Sequence, residues 1–163
     1  MPDLARLYDE DFVLWTEVQA TALREAARAG ANLPLDWEHL AEEVEDLGKS
    51  LRRELRSRVA TIMEHLMKMQ YSPALDPRHG WAGTVLRERD EIGRLLEDAP
   101  SLHREVARMI VDEAPRAAKR VAFDLRSHGE TTPALLAELA GARYGEEQVL
   151  GDWLPAEPGA TAA

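Results

Sequence analysis

The sequence predicts an all-α fold, an antiparallel bundle of about four main helices whose second helix is very long, followed by short C-terminal helices. The main observation is a stripe of apolar side chains across residues 36–71, spaced three or four residues apart as on one face of a helix. A second observation is that prolines and glycines divide the remaining chain into segments of the same period. The stripe comprises Trp37, Leu40, Val44, Leu47, Leu51, Leu55, Val59, Ile62, Leu66 and Met69.

The predicted second helix is long for a chain of this size. At 1.5 Å per residue it would measure about 52 Å, whereas a domain of this length should be about 39 Å across. The helix should therefore bend or project. We expect a distortion at Gly48, because glycine weakens a helix interior by about 1 kcal/mol relative to alanine.

The ends of the first two helices carry recognisable signals. The first helix should begin near Asp9 or Asp11, either of which is an acceptable N-cap, and continue to about Ala29. Gly30 then ends it. Asp36 is the predicted N-cap of the long helix, whose first turns are acidic, as the helix dipole favours.

The third and fourth helices follow a proline-containing loop. After Tyr71, the segment Ser72–Gly80 should be that loop, and the third helix should run from about Trp81 to Asp98. Ser101 is the predicted N-cap of the fourth helix. Pro115 lies inside the fourth helix and should kink or divide it, because proline lacks the N–H and crowds the preceding turn.

The C-terminal part is predicted to be helical up to a short tail. Gly129 should end the fourth helix, and two short helices should span residues 133–140 and 145–153. Residues 1–155 are therefore predicted to form a single all-helical domain. Residues 156–163 are small or polar and are predicted to be a disordered tail.

Composition excludes several classes of function. The chain has no cysteine, which excludes disulfides and thiolate metal sites and fits a cytoplasmic location. It has no window of 18 residues without a charge, so we expect no membrane association. The net charge is −10, and residues 1–47 hold 12 acids against three arginines. An acidic surface of this kind disfavours nucleic acid as a partner.

Several motifs, taken in order, resemble those of family twenty-nine of the bacterial domains of unknown function, over nearly the whole chain. The resemblance implies an all-α fold and no particular activity. The motifs are Tyr8-Asp9-Glu10-Asp11-Phe12 with Trp15, Leu40-Ala41-Glu42-Glu43-Val44-Glu45-Asp46-Leu47-Gly48, His65-Leu66-Met67-Lys68-Met69-Gln70-Tyr71, Trp81, Pro100-Ser101-Leu102 and Leu150-Gly151-Asp152-Trp153-Leu154-Pro155.

Metal chemistry has little support in the sequence. Di-metal carboxylate bundles use Glu-x-x-His motifs, and this chain contains none. The nearest arrangement is His39 with Glu42 and Glu43, which is more typical of an acidic helix start with a surface pair. His65 lies about 33 Å along the helix from Glu43, too far to share an ion with it. We therefore predict no metal ligands, no catalytic residues and no cofactor.

A ligand site is most plausible where the second helix meets the third. His65 borders the apolar stripe there, near the loop that brings in Trp81, and Arg89 lies two turns farther along the third helix. Together His65, Trp81 and Arg89 would suit a small anionic group. The alternative is that His65 bonds a backbone carbonyl and Trp81 fixes the loop to the core.

The exposed face of the long helix suggests self-association. Lys49, Arg52, Arg53 and Arg56 share one face, which continues an acidic face nearer the N-terminus. A salt-bridged solvent face explains this pattern, but two antiparallel copies would also be complementary. We predict a non-enzymatic helical interaction or regulatory module, a homodimer with a possible protein partner. The alternative is a small-molecule-binding or metal-dependent enzyme with its site at the junction of helices two and three.

Overall fold

A computed structural model describes residues 3–157, which form seven α-helices and one 3-10 turn without any β-strand. The all-α prediction is confirmed. None of the helices in this part of the chain is long and apolar enough to cross a membrane. Most of the predicted disordered tail, residues 158–163, lies outside the described residues. The helices are α1 (Leu4–Glu10), α2 (Phe12–Arg28), α3 (Trp37–Tyr71), α4 (Arg78–Asp98), α5 (His103–Ser127), α6 (Pro133–Ala140) and α7 (Glu146–Leu150), with the 3-10 turn at Pro100–Leu102.

The chain divides into two compact units. Within the described residues, the first unit comprises residues 3–55 and Gly93–Arg104, and the second comprises Arg56–Ile92 and residues 105–157. Helices α3, α4 and α5 each contribute residues to both units. The single domain expected for residues 1–155 stays a prediction.

In the first unit, α2 and α3 run antiparallel. The Arg52 guanidinium binds the Glu17 carboxylate, and Arg24 binds Glu45 at 3.1 Å, so positions rise along one helix as they fall along the other. The α3 helix starts as predicted, because the Asp36 carboxylate accepts the backbone N–H of residue 39 at 3.3 Å.

Asp11 is the N-cap of α2, one of the two caps predicted for the first helix, and it also joins α2 to the 3-10 turn. Its carboxylate accepts the Leu14 backbone N–H at 2.9 Å, which caps α2, and also the backbone N–H and hydroxyl of Ser101 at 2.6 and 2.9 Å. The sequence prediction missed α1, which precedes this cap. It also made Ser101 the N-cap of the fourth helix, whereas this residue lies in a 3-10 turn and donates to Asp11.

The long helix is not interrupted at Gly48. Residues Leu47–Leu51 remain α-helical, so the helix has no break at the position where a distortion was expected. Gly48 is instead a packing residue. A Cβ atom at this position would lie 2.4 Å from the Thr16 hydroxyl oxygen, so the Thr16 side chain of α2 occupies the space that a side chain at position 48 would need.

In the second unit, α3 and α5 run in the same direction. Arg56 binds Glu113 at 3.1 Å, and Lys68, twelve residues further along α3, binds Asp124, eleven residues further along α5, at 2.7 Å. The core between the helices of this unit is built from large side chains. Those with no exposed surface include Ile62, Met63, Leu66, Met67 and Val106.

Pro115 does not divide α5, so that part of the prediction is wrong, and the alternative of a kink at this residue stays a prediction. The helix is continuous from His103 to Ser127 with the proline inside it. Pro115 and Val111, whose carbonyl loses its normal N–H partner, both lie on the exposed side of α5. A missing hydrogen bond costs least on the solvent side, which explains why this proline is tolerated.

The apolar stripe of α3 is buried unequally along its length. Leu66 is fully buried in the second unit, but Leu40 and Leu47 in the first unit are 40% and 50% exposed. Here the buried positions are Ala41 and Gly48, each one residue and therefore 100° further around the helix. The helix has turned its small residues inward, which leaves part of the predicted stripe facing solvent.

Candidate ligand-binding site

His65 takes a structural partner. Its Nδ1 lies 2.8 Å from the Thr61 carbonyl oxygen one turn earlier, so this nitrogen carries the proton and donates. The side chain is half-buried. This is the bond to a backbone carbonyl that the sequence offered as the alternative to a ligand role.

Arg89 holds the C-terminal segment of the second unit. Its Nε donates to the Val149 carbonyl at 2.8 Å, and its Nη2 donates to the carbonyls of Gln148 at 2.8 Å and Trp153 at 2.7 Å. Two of these carbonyls lie in the last turn of α7, where a helix has no internal donors. Burial lowers the pKa of the Arg89 guanidinium. Within the described residues, Nη1 is buried without a hydrogen-bond partner.

Arg78 has a similar role one helix turn before Trp81. It is buried, and its guanidinium donates to the Met69 carbonyl near the end of α3 and to the Pro155 carbonyl at 2.9 Å. The sequence prediction placed position 78 in the loop Ser72–Gly80, whereas α4 begins at this arginine. Its charge is used to satisfy carbonyl oxygens, so it is not available to a ligand.

Trp81 lines a cleft in the second unit. The cleft has a volume of about 280 Å³. Its wall includes Ala74 and Pro77 from the loop between α3 and α4, so it lies at the junction that the sequence indicated. His65 and Arg89 are not in its wall. A site composed of all three residues stays a prediction.

The polar residues of this cleft were not predicted as a set. Lys68 and Asp124 form an ion pair at 2.7 Å in the wall, and His128 donates from Nδ1 to the Asp124 carbonyl at 2.8 Å. Glu130 completes the polar lining, and it also lines a neighbouring cleft of about 480 Å³ next to Tyr71. We call the cleft lined by Trp81, Lys68, Asp124, His128 and Glu130 the Trp81 cleft.

Local backbone chemistry places Glu130. Gly129 has φ +67°, its N–H donates to the Arg126 carbonyl, and the Glu130 N–H donates to the Leu125 carbonyl at 2.9 Å. This is the Schellman end of a helix, which a glycine in the left-handed region permits. The sequence signal for this position was Gly129, the predicted end of the helix, because this type of helix end fixes the direction in which the next residue leaves α5.

Glu130 is also held by a side chain. The buried Ser72 hydroxyl donates to Glu130 Oε2 at 2.7 Å and accepts the backbone N–H of Ala74 at 3.1 Å. The serine therefore couples the loop after α3 to the segment after α5. Such a long-range pair, 58 residues apart in sequence, has no local signal.

A buried tyrosine closes the same end of the second unit. The Tyr144 hydroxyl donates to Gln70 Oε1 at 2.8 Å, and its ring lies 6.0 Å from that of Trp153. Burial raises the pKa of Tyr144. A phenol that stays neutral and bonded in this way stabilises the packing and has no acid–base role near neutral pH.

The acidic start of α3 does not gather metal ligands. His39 Nδ1 lies 2.6 Å from the Asp36 carboxylate, so its partner is the capping residue. No group of three or more histidine, aspartate or glutamate side chains in residues 3–157 is arranged to hold a metal ion.

The comparisons with known proteins agree with an all-α protein. A family model, Domain of unknown function DUF29, matches residues 7–150. A crystal structure of an alpha-helical protein of unknown function from Rhodospirillum rubrum is similar, with a TM-score of 0.69 and 27% identity over 88% of each chain. Among curated proteins there is no match.

These matches identify the family. The fold is that of an all-helical protein, and the matching family and the similar crystal structure are both described as being of unknown function. The chain belongs to the family Domain of unknown function DUF29, because the family model covers most of its length.

The motifs that suggested this family make packing contacts within each unit. In the first unit, Asp11 binds Ser101 and Gly48 receives Thr16. In the second, Arg89 holds the carbonyl of Trp153. The motifs therefore specify how the helices pack, which explains why they indicate a fold without indicating a reaction.

Proposed function

We propose that this protein is a non-enzymatic interaction module whose first unit binds a basic amphipathic helix of a partner protein. The observation that supports this most directly is the exposure of Leu40 and Leu47, two full turns apart on one side of α3. Val44 and Leu51 are half-buried beside them. We call these four residues the leucine face.

Exposed apolar surface is concentrated in the first unit. Of the eleven large apolar residues that are exposed in the described chain, seven belong to this smaller unit. Contiguous apolar surface on a protein is typical of a binding site for another protein. An amphipathic helix is the partner that fits a row of side chains at helical spacing. The seven are Leu4, Tyr8, Leu14, Leu33, Leu35, Leu40 and Leu47.

Charge favours a basic partner. Exposed Glu43 lies three residues after Leu40 and four before Leu47, so it borders the leucine face between them. The first 47 residues carry twelve acids against three arginines. Lysine or arginine at the edges of a docked helix would meet these carboxylates, which raises the association rate and excludes acidic helices.

A homodimer through the long helix is the second candidate, because the leucine face would also pair with itself. The charge attraction expected between copies has less support. Lys49 binds Glu45, Arg52 binds Glu17 and Arg56 binds Glu113, all within one chain. A cytoplasmic location also remains part of the proposal, supported by the absence of cysteine.

The test uses a fluorescent helical peptide of leucine and lysine, about 18 residues long, with one apolar face. We expect micromolar binding that weakens as salt rises, because screening shortens the Debye length to about 3 Å at 1 M. The Leu40→Ser/Leu47→Ser variant should bind at least about tenfold more weakly, as expected when two anchoring side chains are lost. Fluorescence anisotropy measures both.

Two controls separate the leucine face from general acidity. Val111→Ser removes an apolar residue of the second unit that is 61% exposed and should leave the affinity unchanged. A leucine–glutamate peptide of the same pattern should not bind. Equal binding by Leu40→Ser/Leu47→Ser and the parent protein would refute the proposal. Light scattering on the peptide-free protein that shows a dimer lost in this variant would favour the homodimer instead.

A further inference from the structure

We propose that the Trp81 cleft binds a small organic cation, such as a primary amine, through the Glu130 carboxylate and the Trp81 indole. This proposal concerns the second unit and is independent of the helix-binding surface proposed above. The ligand proposed here is a cation, whereas the sequence suggested an anion, because two arginines of α4, the helix that carries Trp81, bind other groups. Arg78 and Arg89 both donate to backbone carbonyls.

The charges that line the cleft favour a cation. Lys68 is paired with Asp124 at 2.7 Å, so these two charges offset each other. His128 donates its Nδ1 proton to a backbone carbonyl. The charge left over in the wall is that of Glu130, which makes the lining net negative when His128 is neutral.

The Glu130 carboxylate is positioned and has capacity for a ligand. Its Oε2 accepts the Ser72 hydroxyl at 2.7 Å, and this is its only described side-chain hydrogen bond. An ionised carboxylate accepts about four hydrogen bonds, so Oε1 has room for an ammonium group. Because Gly129 and Ser72 fix the residue from both sides, the ligand would not have to order it.

The apolar part of the cleft matches a short alkyl chain. Trp81, Pro77, Ala74 and Leu125 supply the apolar wall, and the volume of about 280 Å³ lies at the small end of ligand pockets. An indole is also the best aromatic group for attracting a cation. A cleft whose wall contains both a carboxylate and an indole therefore favours an ammonium or guanidinium group that carries a few carbon atoms.

The experiment titrates the ¹⁵N-labelled full chain with n-butylammonium chloride and, separately, with sodium butyrate of the same chain length. We expect the amine to shift the Trp81 indole N–H signal saturably, with a dissociation constant on the order of 1–10 mM for so few atoms. Butyrate should cause no saturable shift. The Trp81 signal is assigned by its loss in Trp81→Phe, and the indole signals of Trp15 and Trp37, in the first unit, serve as internal controls.

Matched variants test the role of Glu130. Glu130→Gln keeps the shape and an acceptor for Ser72 but removes the charge, and it should weaken amine binding by about tenfold or more. Glu97→Gln removes an exposed charge in the first unit and should change nothing. The proposal fails if butyrate binds and the amine does not, if the amine does not saturate below about 100 mM, or if Glu130→Gln binds as the parent does.

Discussion

The two compact units of this chain fill their interiors with different side chains. In the described residues the first unit has seven buried apolar residues, three of them alanines, whereas the second has twenty-one. The second core includes isoleucines, methionines and leucines with no exposed surface. The seven residues of the first unit are Val13, Ala20, Ala41, Leu55, Leu95, Ala99 and Leu102.

This difference indicates which unit should contribute most to the stability of the fold and which should bind a partner. Buried apolar area stabilises a fold by roughly 25 cal/mol per Å², so the second unit should contribute most of the stability. In the first unit α2 packs closely against α3 at Gly48, and Ala41 is buried, whereas the larger side chains of Leu40 and Leu47 are exposed. A surface of that kind has unused apolar area for a partner, which is why we assign binding to the first unit.

Two leucines on one helix give the largest expected contrast. Leu66→Ala, in the core of the second unit, should lower the free energy of unfolding by about 2–5 kcal/mol through lost burial and the cavity left behind. Leu47→Ala, at a half-exposed position of the first unit, should lower it by about 0.5 kcal/mol or less. Urea denaturation followed by circular dichroism measures both. Similar losses in the two variants would contradict the comparison of the units.

The second prediction concerns the arginine that fixes the C-terminal segment. Arg89→Met should lower the free energy of unfolding by about 2–3 kcal/mol, because three carbonyls lose a charged donor. Arg87→Met, exposed on the same helix, should cost about 0.5 kcal/mol or less. Thermal melting and limited proteolysis of the C-terminal segment check this. An unchanged melting temperature in Arg89→Met would return this residue to the ligand hypothesis.

The sequence predicted the helices well but did not predict the hydrogen-bond partners of Arg89, for a physical reason. Helix spacing and the signals at Gly30, Asp36 and Gly129 are local, so α2, α3 and the end of α5 follow from them. The α1 helix was missed because its cap, Asp3, lies only eight residues before the next cap, Asp11.

Side-chain partners depend on which helices meet, and periodicity does not specify this. Arg89 looked like a ligand-binding cation, yet its partners are carbonyls about 60 residues later. The apolar stripe of α3 gave no sign that Gly48 and Ala41 would be buried in place of Leu47 and Leu40. Trp81 lies near the junction of the second and third predicted helices because the loop before it is short.

The third prediction tests close packing in the first unit with two glycines. Gly48→Ala should destabilise the protein by about 1–2 kcal/mol, because the new methyl group would displace the Thr16 hydroxyl from its bond to the Val13 carbonyl. Gly93→Ala has nothing within 4 Å and should stabilise α4 by about 0.5–1 kcal/mol. Urea denaturation gives both values. Stabilisation by Gly48→Ala would mean that α2 and α3 are not in close contact.

The smallest effect concerns pH at the start of α3. The hydrogen bond to Asp36 raises the pKa of His39, and the same bond lowers the pKa of Asp36. Because the pKa of His39 is raised in the folded protein, this residue stabilises the fold below its ordinary pKa of 6.5, and the stabilisation is lost as pH rises through the folded-state pKa. Because the pKa of Asp36 is lowered, this residue stabilises the fold above its ordinary pKa of 3.8, and the stabilisation is lost as pH falls through the folded-state pKa. The stabilisation by this pair should therefore be complete between these two pH values, and it should be small because both side chains are exposed.

An NMR titration should place the His39 midpoint above 6.5, and Asp36→Asn should return it toward that value. A midpoint that does not respond to Asp36→Asn would contradict the hydrogen bond between His39 and Asp36.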